Sequence, residues 1–298
     1  MSTADATGAR YTWGADEHLF VEMAEEMSLE AFFRSTAVVT ALREQRQEGV
    51  LDICPANASY QVRFDPDTLA PEDLEALARK IEGEVGDAHD FKLDTRIVEI
   101  PVLYGDPWTH ETLMKFRDRH QDPEASDLEY AARINGFDDV QGFVDAHSSA
   151  PWIASMVGFV AGLPFLYQMV PRERQLEVPK YVRPRTDTPP LTVGHGGCFG
   201  CIYSVRGAGG YQMFGITPSP IYDPKQALPD FKDFVCFFEP GDIVKFEPIE
   251  RDRYDELREK AESGESTIRQ RPVTFDLEEF TADPDAYNAR LLEVLHAD

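Results

Sequence analysis

Residues 191–222 read LTVGHGGCFGCIYSVRGAGGYQMFGITPSPIY, and this stretch holds eight glycines among β-branched, aromatic and sulfur-containing residues. Glycine weakens regular strand pairing and is tolerated where the backbone turns sharply or where another group approaches it closely. The stretch also carries polar side chains that are capable of chemistry, among them His195, Tyr211 and Gln212. We therefore expect a groove here that is lined by main chain and suited to a small molecule.

Short strands are predicted around this stretch, because prolines and glycines punctuate the chain from Pro151 to about residue 250 and the helical pattern is lost. The predicted strands are WIASMVGFVAG (152–162), LTVGHGG (191–197), GCIYSV (200–205), GYQMFGI (210–216) and DIVKFEPI (242–249). Such a series is typical of a β-barrel or a β-sandwich.

The first hundred residues predict a smaller α+β unit. Apolar residues recur at helical spacing from Glu30 to Gln47, and Gly49 follows as a stop. Two strands, 50–56 and 59–65, come next, and a second helix begins at Pro71. These elements lead into a further strand over 96–105, and the pattern suits a compact sheet covered by helices on one face.

The segment 107–147 predicts three short helices, two of which we expect to be capped by Thr109 and Ser126. Near the end of the chain, Asp283 and Pro284 predict the start of a terminal helix. We therefore predict three parts: a small α+β domain at 10–95, a β-barrel domain at 96–250 with a helical insertion at 107–147, and a helical extension at 251–298.

The charge balance limits the partners. The 298 residues include 54 acidic and 29 basic side chains, for a net charge of −25, which disfavours contact with nucleic acid or an anionic membrane. No run of eighteen apolar residues and no export segment is evident, so we expect a cytoplasmic protein. The spacing of Cys198 and Cys201 fits a redox pair or half a zinc site, but no second such pair occurs. We predict no metal.

Six segments in one order resemble a known family. They are GVLDICPANASYQVRFDP (49–66), RIVEIPVLYGD (96–106), DAH (145–147) with MVGFVAGLPFLYQM (156–169), VRPRTDTPPLTVGHGGCFGCIYSV (182–205), GAGGYQMFGITPSPIYD (207–223) and EPGDIVKF (239–246). Together they resemble the allophanate hydrolase subunit 1 family, also described as carboxyltransferase subdomain C/D. That family includes the B-type subunit of 5-oxoprolinase and a KipI-type inhibitor of a sensor kinase.

The resemblance implies an α+β protein in which a small α/β-sandwich precedes a cyclophilin-like β-barrel. It also implies a related subunit-2-type partner and a larger subunit that uses ATP, with biotin or bicarbonate where the reaction is a carboxylation. No phosphate-binding loop or biotinyl-lysine signature is evident, so we expect this chain to bind no cofactor itself. The departures from the family pattern fall at the expected groove, at Ala161-Gly162-Leu163 and at Ala208-Gly209-Gly210-Tyr211.

Three residues are predicted to be catalytic. His147 matches the family's histidine before the barrel and can transfer a proton near neutral pH, although a structural helix-end histidine would give the same sequence. Arg185, with Arg183 nearby, can hold a carboxylate, or pair with surface acids instead. The amide of Gln212 can both donate to and accept from an amide-like substrate, or stabilise a bulge.

Substrate binding is predicted for a second set of residues. An aromatic set can wall the groove, since ligand sites are mostly apolar, although core packing is the ordinary role of such residues. His195 can orient a carbonyl or carboxylate from within the glycine-rich stretch. The predicted substrate-binding residues are Phe159, Gly162, Phe165, His195, Gly210 and Tyr211.

Two functions follow from these features. The first is a subunit of an ATP-dependent enzyme that acts on an amide, a lactam or a carboxylation substrate, because a groove is predicted without a nucleotide site or an activated nucleophile. The alternative is a regulatory protein of the KipI type that inhibits a sensor histidine kinase, which the acidic surface would also suit.

Overall fold

The computed structural model describes residues 8–88 and 90–297. The chain forms two compact units. The first unit contains the described residues through Leu93 together with Phe275–Ala282, and the second contains Asp94–Thr274 and the described residues from Asp283 onward.

The secondary structure is mixed α and β. The strands are β1 (Arg10–Gly14), β2 (His18–Glu22), β3 (Val50–Ala56), β4 (Ser59–Phe64), β5 (Lys92–Tyr104), β6 (Trp152–Val157), β7 (Pro164–Gln168), β8 (Arg185–Thr188), β9 (Thr192–Gly196), β10 (Phe199–Ile202), β11 (Gly207–Gly209), β12 (Gln212–Ile216), β13 (Ile243–Pro248) and β14 (Gln270–Asp276). The α-helices are α1 (Leu29–Gln45), α2 (Pro71–Val85), α3 (Pro107–Lys115), α4 (Asp127–Ile134), α5 (Val140–Ser149), α6 (Arg251–Glu262), α7 (Leu277–Ala282) and α8 (Pro284–His296).

The first unit is a four-stranded antiparallel sheet in the order β1-β2-β4-β3. Along β4, Tyr60, Val62 and Phe64 alternate toward the core, as their spacing predicts. The helices α1 and α2 pack their apolar faces into the same cluster. Sequence reasoning found α1, α2, β3 and β4 but missed β1 and β2, which add two strands to the sheet.

The second unit is built on an eight-stranded sheet in the order β12-β9-β10-β7-β6-β13-β5-β14. An additional antiparallel pairing places Gly215 of β12 opposite Tyr104 of β5. The strands β8 and β11 form a separate two-stranded ribbon. The segment 251–298, predicted to be helical, also contains β14, which pairs at the edge of the large sheet.

The insertion between β5 and β6 holds three helices, as predicted. The first of them, α3, begins at Pro107, and the Asp106 carboxylate accepts the N–H groups of Trp108 and Thr109 at 2.9 Å each. The prediction that Thr109 caps this helix was therefore wrong, because Asp106 precedes a proline at the first helical position and satisfies the free donors. Ser126 does cap α4, through a reciprocal capping box with Glu129.

The imidazoles of His147 and His195 lie among aromatic rings in the core of the second unit. His147 and His195 are both fully buried, and the ring centroids of His147 and Phe246 are 5.1 Å apart. The His195 ring stacks on Phe214 at 6.0 Å. Burial lowers the pKa of His147 well below its ordinary value and lowers that of His195 to about 4, so both rings are neutral at physiological pH.

Two glycines of the quoted stretch permit tyrosine rings to lie against the sheet. A Cβ atom at Gly196 would lie 2.4 Å from Cδ1 of Tyr211, and one at Gly209 would lie 2.5 Å from the Tyr203 hydroxyl oxygen. No side chain can occupy these positions without moving a ring. These two glycines thus allow aromatic rings to approach the backbone closely. Every residue of the strands β9 and β12 is buried.

Among the described residues, every helix is too short or too polar to cross a lipid bilayer.

We predict that acid destabilises the fold through His195. The folded-state pKa of about 4 lies below the ordinary value of 6.5, so the unfolded chain binds a proton first as the pH falls. The stability contributed by the neutral ring is complete above about pH 6.5 and is lost toward pH 4, at up to about 1.4 kcal/mol per pH unit. Urea unfolding at intervals from pH 7.5 to 4.5 measures how the free energy of unfolding changes with pH.

The matched comparison uses His195→Gln and, as a control, His110→Gln, since His110 is exposed. In His195→Gln the free energy of unfolding should fall less steeply as the pH is lowered, by up to about 1.4 kcal/mol per pH unit, which is the contribution of one proton. In His110→Gln the pH dependence of the free energy of unfolding should match that of the wild type. An unchanged slope in His195→Gln contradicts the assignment.

We further predict that Gly196→Ala lowers the free energy of unfolding by about 1–3 kcal/mol, because its methyl group would overlap the Tyr211 ring. Gly207→Ala is the control, since a Cβ there meets no atom within 4 Å, and its change should stay within about 0.5 kcal/mol. Denaturant titration of both variants checks the difference. Equal stability of the two would show that Tyr211 is not held against Gly196.

Candidate functional site

A cavity of about 400 Å³ lies in the second unit beside the ribbon β8–β11. Four of the predicted substrate-binding residues line it, namely Phe159, Phe165, Gly210 and Tyr211. The other lining residues, which are not in the predicted substrate-binding set, are Leu163, Lys180, Pro184, Cys201, Tyr203, Ala208 and Gly209. The cavity is the part of the structure that best matches the predicted groove.

The walls of this cavity are aromatic rings held by the sheet. The ring of Phe165, on β7, meets that of Tyr211 edge to face with centroids 6.2 Å apart. The hydroxyl of Tyr203 accepts the N–H of Tyr211 at 3.4 Å. Because Gly196 and Gly209 lack side chains, both tyrosine rings reach these positions. The result is a shaped apolar wall with main chain on one side.

Lys180 supplies the cation of the cavity. Its Nζ lies 5.1 Å from the centroid of the Tyr211 ring, a cation–π distance, and the residue is exposed. Sequence reasoning missed Lys180 because it lies in an irregular loop between β7 and β8, where no periodicity assigns a face. The Val-Pro-Lys-Tyr-Val-Arg-Pro stretch around it does indicate a stiffened loop.

Phe159 lies at the rim. It adopts a positive φ of 69° and is 67% exposed, so the β6–β7 loop holds a large apolar ring toward solvent. Gly162, also predicted for substrate binding, lines a neighbouring cavity of about 530 Å³ that shares Phe159. Phe234, 61% exposed, lines that second cavity too. The rim therefore presents exposed apolar surface next to the cavity.

Arg185, predicted to be catalytic, is fully buried and does not line the cavity. Its guanidinium carbon lies 4.3 Å from the centroid of the Tyr181 ring, and Nε donates to the Thr188 hydroxyl at 3.3 Å. Its two terminal nitrogens have no hydrogen-bond partner in the described part of the chain. Arg183 instead forms an exposed ion pair with Asp118 at 2.8 Å.

A buried carboxylate accompanies this guanidinium. Asp127 accepts the Tyr181 hydroxyl at 2.8 Å and the Met213 N–H at 2.5 Å. Burial raises the pKa of Asp127, while the Met213 N–H, Tyr181 and the nearby Arg185 oppose the rise. Arg185 thus belongs to a buried polar layer with Asp127 and Tyr181, and none of the three lines the cavity.

The remaining predicted polar groups also lie in the interior and outside this cavity. Nδ1 of His147 is 2.8 Å from the Tyr104 hydroxyl, and Nε2 of His195 donates to the carbonyls of Leu176 and Gly197 at 3.1 Å each. The amide of Gln212 donates to the Pro179 carbonyl at 2.9 Å. Their predicted roles in catalysis or binding stay predictions, and any such role would act through intervening groups.

The chemistry available in the cavity is limited. Burial raises the pKa of the Cys201 thiol, so it is a neutral group and a weak nucleophile. Among the described lining residues there is no carboxylate and no imidazole. The cavity therefore offers aromatic rings that can hold a small carbonyl compound and one ammonium group, Lys180, that can stabilise negative charge.

Known proteins resemble this chain along most of its length. The B-type subunit of 5-oxoprolinase from Bacillus subtilis is 27% identical over 255 residues, which are 83% of this chain and 95% of that protein. The urea amidolyase of Saccharomyces cerevisiae is 24% identical over 274 residues, which are 91% of this chain but only 15% of the amidolyase. The chain thus spans nearly all of one relative and a small part of the other.

The fold has a solved counterpart. The crystal structure of the Kluyveromyces lactis urea amidolyase aligns with a TM-score of 0.82 and 22% identity, over 97% of this chain and 18% of that one. At this identity the likeness establishes the fold. The profile of the family described as carboxyltransferase domain, subdomain C and D, matches residues 9–231. Since that match covers most of the sequence, the chain belongs to the carboxyltransferase subdomain C and D family.

Proposed function

We propose that this chain is one component of an ATP-dependent enzyme that breaks or carboxylates the amide group of a small compound. The relatives named as a 5-oxoprolinase component and as urea amidolyase support this class, since their names denote a lactam and a urea as substrates. Both compounds present a planar carbonyl next to nitrogen. The substrate of this chain is of that kind.

The cavity beside the ribbon β8–β11 carries the proposal. It combines aromatic walls with the main chain of Gly209 and Gly210 and with the single cation Lys180 among its described lining residues. A planar amide fits between the rings, and the ammonium group of Lys180 faces the oxygen on which charge develops. The volume of about 400 Å³ lies in the usual range of small-molecule sites.

A partner chain completes the site in this proposal. The described lining residues include no carboxylate and no imidazole, and in this proposal the partner supplies a group of that kind. A related, subunit-2-type chain docks on the exposed rings of Phe159, at the rim of this cavity, and of Phe234, in the neighbouring cavity that shares Phe159. A larger component supplies ATP, and biotin or bicarbonate where the reaction is a carboxylation. We place the assembly in the cytoplasm.

The buried polar residues act indirectly in this account. Arg185 holds Tyr181 and the neighbouring Tyr203 in place, and the neutral His147, His195 and Gln212 stabilise the core beneath the cavity. We also propose that the large sheet closes as a cyclophilin-like barrel, which the pairing of β12 with β5 supports. That closure keeps the aromatic walls rigid.

The proposal is tested on the assembly purified from its own host through a tag on this chain. ATP-dependent hydrolysis of 5-oxoproline and ATP- and bicarbonate-dependent carboxylation of urea are assayed separately. We expect one of the two activities together with a copurifying related chain. A lone monomer without either activity would overturn the proposal.

Variants then test the cavity. We predict that Lys180→Gln lowers kcat/KM by about ten- to a hundredfold, because the charge that faces the carbonyl oxygen is removed. Tyr211→Ala should raise KM by about tenfold through loss of one wall. Lys225→Gln is the control, since Lys225 is exposed and lies outside the cavity. Wild-type kinetics in both cavity variants would place the substrate elsewhere.

A further inference from the structure

The hydroxyl of Tyr203 is a buried polar group at the first cavity, the one beside the ribbon β8–β11. Tyr203 is 3% exposed, lines that cavity and is absent from the predicted substrate-binding set. A Cβ atom at Gly209 would lie 2.5 Å from the hydroxyl oxygen, so the hydroxyl lies against bare backbone that lines the same cavity. The polar end of this ring is therefore held at the cavity wall.

Hydrogen-bond donors surround this hydroxyl. The Tyr211 N–H donates to its oxygen at 3.4 Å. Burial raises the pKa of Tyr203, so the hydroxyl keeps its proton at neutral pH, and the nearby Arg185 guanidinium, which can only donate, opposes the rise. Within residues 8–88 and 90–297, no acceptor takes the Tyr203 O–H proton. A buried hydroxyl in such surroundings has one donor left for a ligand or water.

Arg185 contributes a buried positive charge beside this group. It is fully buried, makes no ion pair in the part of the chain that the structure describes, and has no hydrogen-bond partner at either terminal nitrogen there. Its Cα pairs with that of Gly209 across the ribbon, so it lies opposite the backbone that the Tyr203 hydroxyl contacts. Buried charges of this kind are costly and concentrate at functional sites.

The charge of Arg185 acts on the lining of the cavity. Burial raises the pKa of two lining groups, the Tyr203 hydroxyl and the Cys201 thiol, and the guanidinium opposes the rise at both. A positive charge beside a hydroxyl oxygen makes its proton a stronger hydrogen-bond donor. Arg185 therefore favours donation by Tyr203 to an oxygen that gains negative charge.

We propose that Tyr203 is a hydrogen-bond donor of the first cavity and donates to the carbonyl oxygen of the bound amide, on which negative charge develops during the reaction. Arg185 is a positioning residue, because it acts through the Tyr203 hydroxyl and does not touch the compound. This inference rests on the proposed function, since it takes the amide as the ligand.

Tyr203→Phe should lower the kcat of the assembly about ten- to a hundredfold and change KM less than about threefold, because the contact strengthens as charge develops. The substrates are 5-oxoproline with ATP, and urea with ATP and bicarbonate. The matched control is Tyr254→Phe, since Tyr254 is equally buried in the same unit but does not line the first cavity, and its kinetics should match the wild type. Wild-type kcat for Tyr203→Phe in an active assembly would overturn this inference and leave the proposed function standing.

Two changes at Arg185 test its role. Arg185→Lys keeps the charge and should retain most of kcat, whereas Arg185→Met should lose about as much as Tyr203→Phe. With Arg185→Met and Tyr203→Phe combined, kcat should stay within about threefold of that of Tyr203→Phe alone, since both changes remove one interaction. Losses that multiply would show a separate structural role and overturn the positioning role of Arg185.

A binding measurement on the full chain decides the donor role without turnover. The tyrosines carry ¹³C at Cζ, and the Tyr203 resonance is assigned by its loss in Tyr203→Phe. The probe is 2-pyrrolidinone, a small lactam, at up to about 50 mM, because so small a ligand binds weakly. We expect it to shift the Tyr203 resonance and leave that of Tyr254 unmoved. An unmoved Tyr203 resonance would overturn the donor role whether or not the assembly is active.

Discussion

The contact between the Tyr211 ring and the bare backbone of Gly196 is the constraint on which the first cavity depends. A single added carbon at Gly196 would lie within 2.4 Å of the ring, and the same holds at 2.5 Å for Gly209 and the Tyr203 hydroxyl. Interiors are close-packed and transmit such displacements to their neighbours. The shape of the aromatic wall is therefore determined by two positions that carry no side chain.

Several polar side chains of the second unit are buried and do not line the first cavity. Arg185, Asp127 and Tyr181 form one buried layer, and the neutral His147 and His195 rings form another. Buried ionisable groups are tolerated when they are neutral or paired. This arrangement leaves Lys180 as the one cation among the described lining residues, so the electrostatics of the cavity depend on a single exposed ammonium group.

Much of the fold was accessible from the sequence. The helices α1 and α2 have clear periodicity, and Asp283 and Pro284 mark the start of α8 as predicted. The strands β1, β2 and β14 were missed because only one or two positions of each are buried, so little alternation marks an inward face. Gly210 and Tyr211, which lie in the glycine-rich stretch, and Phe159 and Phe165, which belong to the predicted aromatic set, all line the first cavity, and their role in substrate binding stays a prediction. The positions of His147, Arg185 and Gln212 were not accessible, since residue type alone does not tell a ligand contact from a buried structural hydrogen bond.

The most direct test of the proposed site is a solved structure of the assembly purified with its partners and soaked with its amide substrate. We expect the compound to lie between Phe165 and Tyr211 with its oxygen toward Lys180, and the partner chain to cover the Phe159 ring. A compound bound away from Tyr211, with Phe159 still exposed to solvent, would contradict the proposed site.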